Sequence, residues 1–310
     1  MTRRRCTTII TLLFLALLAA GCDSIGPVER DPNQIYWVDA GAGKIQRANL
    51  DGSHVEDLVT GLDWPHYIAF DLDGGKMYWT DGLQSFDNLP GKVQRANLDG
   101  SDVEDLVVGR FGHNGLALDL DGGKMYWTWT GTDAFSGKIE RANLDGSGIE
   151  TIPLEGLSTE RDLPGLPAPN GIALDLAAGT MYWAVPGAIQ RANLDGSTFI
   201  DLIPNVSGPD GIALDLAAGK IYWTSFSLST RTGKIQRANL DGTGVEDLVT
   251  DLNNPAGIAL DVARHKMYWT DRRFGEVTNK IQCGNLDGSD VEDVVTDLMS
   301  PRGIALLLSE

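Results

Sequence analysis

Cysteine and histidine are nearly missing from this chain: three cysteines and four histidines in 310 residues. Cys6 lies inside an N-terminal leader and Cys22 directly after it, so Cys283 has no partner within one molecule. A disulfide framework and a cysteine-held metal are thereby excluded for a monomer, and a half-buried free thiol is expected at Cys283. His54 and His265 lie away from the other two, and no His-Cys or His-Glu cluster forms. Nucleophile elbow, P-loop and dinucleotide fingerprint are all missing, so no cofactor is implied. Positive charge is scarce as well: 25 Lys and Arg stand against 43 Asp and Glu, a net charge of −18. Such an acidic chain disfavours nucleic acid and anionic membrane surfaces as partners.

Apolar runs long enough to cross a bilayer are absent after the leader. The leader itself reads as an export signal: Arg3, Arg4 and Arg5, an apolar stretch over residues 9–20, then small residues ahead of a cysteine. Ala19-Ala20-Gly21-Cys22 resembles a bacterial lipobox, which implies cleavage after residue 21 and a lipid on Cys22, on the periplasmic or cell-surface side of a bacterial membrane. Losing the three leader arginines takes the charge from −18 to −21. Residues 22–33, with Gly26, Pro27 and Pro32, form a short flexible tether. The folded domain is expected over residues 34–310.

What the chain has in abundance is repetition. The pair Tyr-Trp occurs at Tyr36-Trp37, Tyr78-Trp79, Tyr126-Trp127, Tyr182-Trp183, Tyr222-Trp223 and Tyr268-Trp269. The spacing of roughly 40 to 55 residues is that of propeller blades. In residues 211–249 one copy shows four short apolar runs, at 212–216, 220–224, 234–240 and 245–249, bounded by Gly and Asp. Their length and their Ile, Val, Tyr and Trp content mark strands. Asp241-Gly242, repeated in every copy, separates the third and fourth runs and predicts a tight hairpin, since Asp-Gly tolerates positive φ. A single four-stranded sheet cannot bury both faces, whereas a ring of them can. An all-β, six-bladed propeller of four-stranded antiparallel blades follows. The first copy lacks a first run and the last run, at 303–308, lacks a successor, so the C-terminal strand is expected to complete the first blade and close the ring.

Tyr78-Trp-Thr-Asp81, Tyr268-Trp-Thr-Asp271, the Arg-Ala-Asn-Leu-Asp-Gly runs and Pro-x-Gly-Ile-Ala-Leu-Asp resemble the class B repeat of the low-density lipoprotein receptor family over essentially the whole mature chain. That resemblance implies a six-bladed propeller acting as an extracellular binding or structural domain without enzymatic activity. Trp129, Val185 and Ser225 depart from the final Asp, and the cysteine-rich modules flanking the receptor propellers are missing.

Repetition also separates frame from site. Turns between the first and second runs, and between the third and fourth, hardly vary, whereas the other two connections vary in length and composition. Alternating strands place all variable connections on one face of the disc, the expected binding face. Aromatics beyond the frame collect there: Trp64, Tyr67, Phe86, Phe111, Trp129, Phe135, Phe226 and Phe274, together with Arg110, Arg272, Arg273 and Arg302. Arg and aromatic side chains are favoured at interface hot spots, and a protein, peptide or glycan partner of a monomeric propeller is the expected ligand. The start of each first run, near the axis, carries His66, Asn114, Asn170, Asp210, Ala256 and Arg302. Asn114, Asn170 and Asp210 resemble the metal ligands of gluconolactonase-like propellers. A divalent-metal lactonase- or lyase-like enzyme is therefore the alternative to a non-enzymatic, membrane-tethered binding or scaffold protein.

Overall fold

The four apolar runs of each repeat form four antiparallel strands. In the computed structural model, which describes residues 32–82, 91–109, 112–130, 137–154, 166–273 and 279–309, the fifth blade consists of Pro209–Asp215, Lys220–Ser227, Thr232–Asn239 and Glu246–Leu252, from the axis outward. Six such sheets make up the propeller, and every regular element among the described residues is a strand. The leader and Cys22 lie outside the described residues.

Why the Tyr-Trp pair recurs is visible in the packing. Successive side chains of a strand point to opposite faces, so the Tyr enters one interblade layer and the Trp the other. Tyr36 packs in a cluster with Trp79, Tyr78 with Trp127, Tyr126 with Trp183, Tyr182 with Trp223 and Tyr222 with Trp269. Tyr268 closes the series on Trp37. All six Trp side chains are fully buried. Each layer thus has one aromatic from either blade, and a blade on its own would expose half of each pair to water.

Polar stitches run alongside the aromatics. The third-strand Arg bonds its own blade's Tyr and reaches a turn carbonyl of the next blade: Arg95 Nη1 donates to the Tyr78 hydroxyl (3.2 Å) and to Leu144 O (3.2 Å), and Arg237 Nη1 to the Tyr222 hydroxyl (3.2 Å) and to Leu286 O (3.0 Å). A fourth-strand Glu holds the same guanidinium, as in Arg95–Glu104 and Arg237–Glu246. Two blades depart. Arg191 faces Ile200 instead of a Glu, and blade six has Cys283, only 3% exposed, whose thiol donates to Glu292 (3.3 Å). The expected half-buried thiol is therefore fully buried. Burial, with Glu292 alongside, pushes it up to about 12, leaving it protonated and unreactive.

The repeated Asp-Gly joins the third and fourth strands antiparallel, as expected. Of that pair the glycine is left-handed, at φ 85° for Gly242, while Asp241 keeps negative φ. The Asp side chain accepts from Thr243 N (2.9 Å) and Thr243 Oγ1 (2.6 Å), closing an Asx turn. A Cβ on Gly242 would strike the Leu202 carbonyl of the previous blade, so conformation and close approach both demand glycine there.

The strand Pro301–Leu307 pairs with Gln34–Asp39 of the first blade, with Tyr36 opposite Ala305 and Trp37 opposite Ile304. Asp39 accepts from Met299 N (2.9 Å) and Ser300 N (2.7 Å), fixing the approach of the closing strand. The ring closes as the sequence predicts.

Candidate functional site

Variable connections meet on one side of the disc, where Leu62 N donates to Gly43 O (3.0 Å) and Gly82 N to Asp63 O (2.7 Å). Their positions are set by the last two residues of the Tyr-Trp-Thr-Asp run. Thr80 Oγ1 donates to Asn114 O (2.7 Å), Thr224 Oγ1 to Ala256 O (2.5 Å) and Thr270 Oγ1 to Arg302 O (2.7 Å), each tying one blade to the first strand of the next. The Asp then caps the incoming loop: Asp271 accepts from Asn253 N (3.2 Å), Asn253 Nδ2 (2.8 Å) and Asn254 N (2.9 Å). Asp81 does the same with Asp63 N (3.1 Å) and Gly82 N (3.0 Å), and burial raises its carboxyl to about 6.

At the axis, the ring of positions expected from the sequence does come together. Asn114 Nδ2 donates to Asn170 Oδ1 (2.7 Å), and Asn170 Nδ2 to Pro209 O (2.9 Å). Arg302 Nη1 lies 2.6 Å from His66 Nε2, and its guanidinium sits 5.8 Å from the Trp64 ring centre. Trp64 holds a left-handed backbone, φ 65°, an uncommon conformation for a bulky side chain.

The organising residue is Tyr67. Five blades have glycine after the ring position (Gly115, Gly171, Gly211, Gly257 and Gly303), and the second blade alone has Tyr67. Its hydroxyl donates to Asp210 Oδ1 (3.0 Å), 143 residues away in sequence, and a Cβ on Gly171 would lie 2.7 Å from that hydroxyl. The missing side chain in one blade therefore makes room for the extra one in another. A break in the Pro-x-Gly pattern at Pro65-His66-Tyr67 was the available signal, although Tyr67 registers in the sequence only as a surplus aromatic.

Arg272 completes the cluster, with Nη2 at 3.6 Å from Asp210 Oδ2. Arg302 also feels the charge of Asp210, although only Arg272 pairs with it. Burial, then the charge of Arg272, pushes Arg302 down to about 9, and burial lowers Arg272 as well. Burial and the same two arginines hold His66 well below its ordinary value, so it is neutral at pH 7. Burial, then Asp210, raises Tyr67 far enough to remain a phenol. Five buried polar atoms of the cluster have no protein partner: Trp64 Nε1, His66 Nδ1, Asn114 Oδ1, Arg272 Nε and Arg302 Nε. Buried polar groups are normally satisfied, and exceptions of this kind gather where a ligand or water completes the bonding.

This geometry does not suit a divalent cation. Asn170 and Asp210 spend side-chain oxygens on Asn114, on Tyr67 and on Arg272, and two neighbouring positive charges repel a metal. Among the described residues no group of three His, Cys, Asp or Glu side chains is placed to hold one.

The remaining expected face residues divide. Trp129 is 6% exposed and lies beneath Lys138, whose Nζ is 5.0 Å from the ring centre, so it packs the third blade. Phe226 is half-buried and Arg273 exposed, both lining a pocket beside Arg272. Phe86, Arg110, Phe111, Phe135 and Phe274 lie outside the described residues.

Residues 33–72 match the family model of the low-density lipoprotein receptor repeat class B. Those residues thus carry one copy of that repeat within the six-bladed ring. It is 48% identical over 48 residues to the low-density lipoprotein receptor-related protein 5-like protein of Homo sapiens, a match covering 15% of this chain and 19% of the human one. The match thus spans less than a fifth of that relative's length. Among solved structures, the nidogen/laminin complex contains a chain superposing with TM-score 0.71 at 22% identity, over 90% of this chain and 99% of that one. TolB from Acinetobacter baumannii superposes with TM-score 0.69 at 14% identity, over 89% of this chain and 66% of that one. At those identities the shared property is the fold. The matched repeat supports a propeller of the binding or scaffold kind.

Proposed function

We propose that this class B repeat propeller is a non-enzymatic binding protein that docks a partner protein on its loop face, over the mouth of the channel. One observation carries the reading: five buried polar atoms without protein partners gather around Tyr67, Asp210, Arg272 and Arg302, while the opposite face repeats a closed Asx turn in every copy. Rearrangement of these buried side chains on docking would bring them to bonds with the partner. Residues the frame does not need, Trp64, Tyr67, Arg272 and Arg302, supply the guanidinium and aromatic surface that anchors interfaces. In this reading the protein is exported and held at a bacterial membrane by lipid on Cys22.

Affinity capture from the membrane fraction of the source cells tests the face. Leu228→Ser combined with Arg273→Ala is expected to abolish capture of a partner that Asp73→Lys and Asp121→Lys on the constant face still retain. Capture lost only on the constant-face changes overturns the proposal. Cys22→Ser is expected to release the protein into the soluble fraction, and mass spectrometry of an unlipidated native N-terminus would exclude the anchor.

A further inference from the structure

Between the fifth and sixth blades, on the loop face and off the axis, lies a pocket of about 540 Å³. Its charged lining among the described residues is Arg231, Arg272 and Arg273, and none of the described lining residues is acidic, in a chain whose net charge is −18. From this geometry we infer that the pocket binds an acidic side chain flanked by an apolar residue, presented by an extended segment of the partner protein. The inference rests on the loop-face reading above and names the chemistry the face selects.

The frame does not require Arg272. At the position after Trp-x-x the other blades have Ala40, Gly82, Thr130, Pro186 and Phe226, and all six Trp side chains remain fully buried. Yet Arg272 is only 7% exposed, and desolvating a guanidinium is costly unless its donors are used. Asp210 does not use them fully: at 3.6 Å it lies beyond a good hydrogen bond, it is shared with Tyr67 and stands beside Arg302, and Arg272 Nε has no protein partner. A second carboxylate entering the pocket would complete the bonding in the bidentate manner that guanidinium favours.

The apolar half of the ligand follows from the rim. Leu228 is 84% exposed, the most exposed large hydrophobic side chain among the described residues, and Phe226 lies half-buried behind it. Phe226 lies in the strand that leads into the connection of the fifth blade carrying Leu228 and Arg231, the latter left-handed at φ 56°. Asp271 fixes the facing wall by binding Asn253 and Asn254. A branched aliphatic rim offers no flat surface for a sugar ring, which favours peptide over polyuronate as the source of the carboxylate.

A random nonapeptide library displayed on phage, panned against the mature protein, tests this. Enriched sequences are expected to place Asp or Glu next to Leu, Ile or Phe. A synthetic peptide of the consensus should lose roughly tenfold or more in affinity when its acid becomes the amide, and likewise on Arg231→Ala, Leu228→Ser and Arg272→Gln. Arg231 and Leu228 are exposed, so those two variants keep the fold, and thermal unfolding checks the third. Failure to enrich, a consensus without acid, or an acidic consensus indifferent to all three substitutions overturns the inference. So does hexagalacturonate binding more tightly than the peptide. Acid-free peptides that lose binding on Trp64→Ala leave the loop-face reading standing and remove this one, whereas peptides sensitive only to Asp73→Lys or Asp121→Lys remove both.

Discussion

The wall of the propeller and the mouth of its channel obey different rules. In the wall most polar pairs recur from blade to blade: Asp241 with Thr243 as Asp287 with Ser289, Lys234 with Asp247 as Lys280 with Asp293. Its aromatics interlock from blade to blade without a gap. At the axis the pattern breaks. Tyr67 replaces a glycine, Arg272 pairs with Asp210 beside Arg302, and five buried atoms wait for partners. The difference teaches that stability and recognition are separable in this fold, because a sixfold frame leaves its irregular residues free of structural duty.

Substitutions can break that separation at four levels. Deleting residues 301–307 removes the first strand of blade one and leaves the Gln34–Asp39 strand with an unpaired edge. A truncated protein is expected to aggregate or to be cleaved rapidly by protease, and one that melts as the full chain does would show the ring stable while open. Next, Trp223→Ala empties an interblade layer shared with Tyr182. A loss of about 3–5 kcal/mol in urea unfolding is expected.

Asp81 lies where wall meets mouth, and its effect depends on pH. Its carboxyl is raised from 3.8 to about 6 by burial, so the folded state binds the proton more tightly than the unfolded chain. The stabilisation is full below about pH 4 and lost as pH rises through about 6, up to roughly 3 kcal/mol. His66 acts in the opposite sense, because its lowered value favours the folded state as pH rises. Comparing urea midpoints of the parent protein and Asp81→Asn between pH 4.5 and 7.5 isolates the carboxyl: the advantage of the parent over the variant should shrink as pH rises. Smallest of all, Leu228→Ser and Arg273→Ala at the rim should leave stability within about 0.5 kcal/mol. A larger loss from either would make the rim part of the frame.

The wall was legible in the sequence because its information is local. Strand length, Asp-Gly punctuation and the recurrence of Tyr-Trp specify a blade, and the displaced last run specifies closure. Even the ring of His66, Asn114, Asn170, Asp210 and Arg302 could be placed from phase alone. What phase cannot give is reach. That Tyr67 spans the mouth to Asp210 depends on the glycines of other blades stepping back, as Gly171 does. Trp129 stood out as a surplus aromatic and instead packs beneath Lys138, because nothing in the pattern distinguishes an aromatic facing water from one folded under a neighbour. Arg272 and Arg273 are adjacent in the chain, yet one is buried against Asp210 and the other exposed, a consequence of strand alternation at the end of a strand.

The closing strand carries a kinetic consequence. Tyr36 finds Ala305 only after every intervening blade has been made, so a chain emerging in order exposes the bare edge of its first blade throughout synthesis. Pairings of such long separation are slow to form, since loop closure must precede any return in contacts. The seam between the sixth blade and the first is also the one where Cys283 replaces the bridging Arg, which leaves the final docking step to apolar packing, strand pairing and the bond from Thr270 to Arg302 O. A holding factor that shields residues 34–39 until the last strand arrives would raise the yield of folded ring without changing its stability.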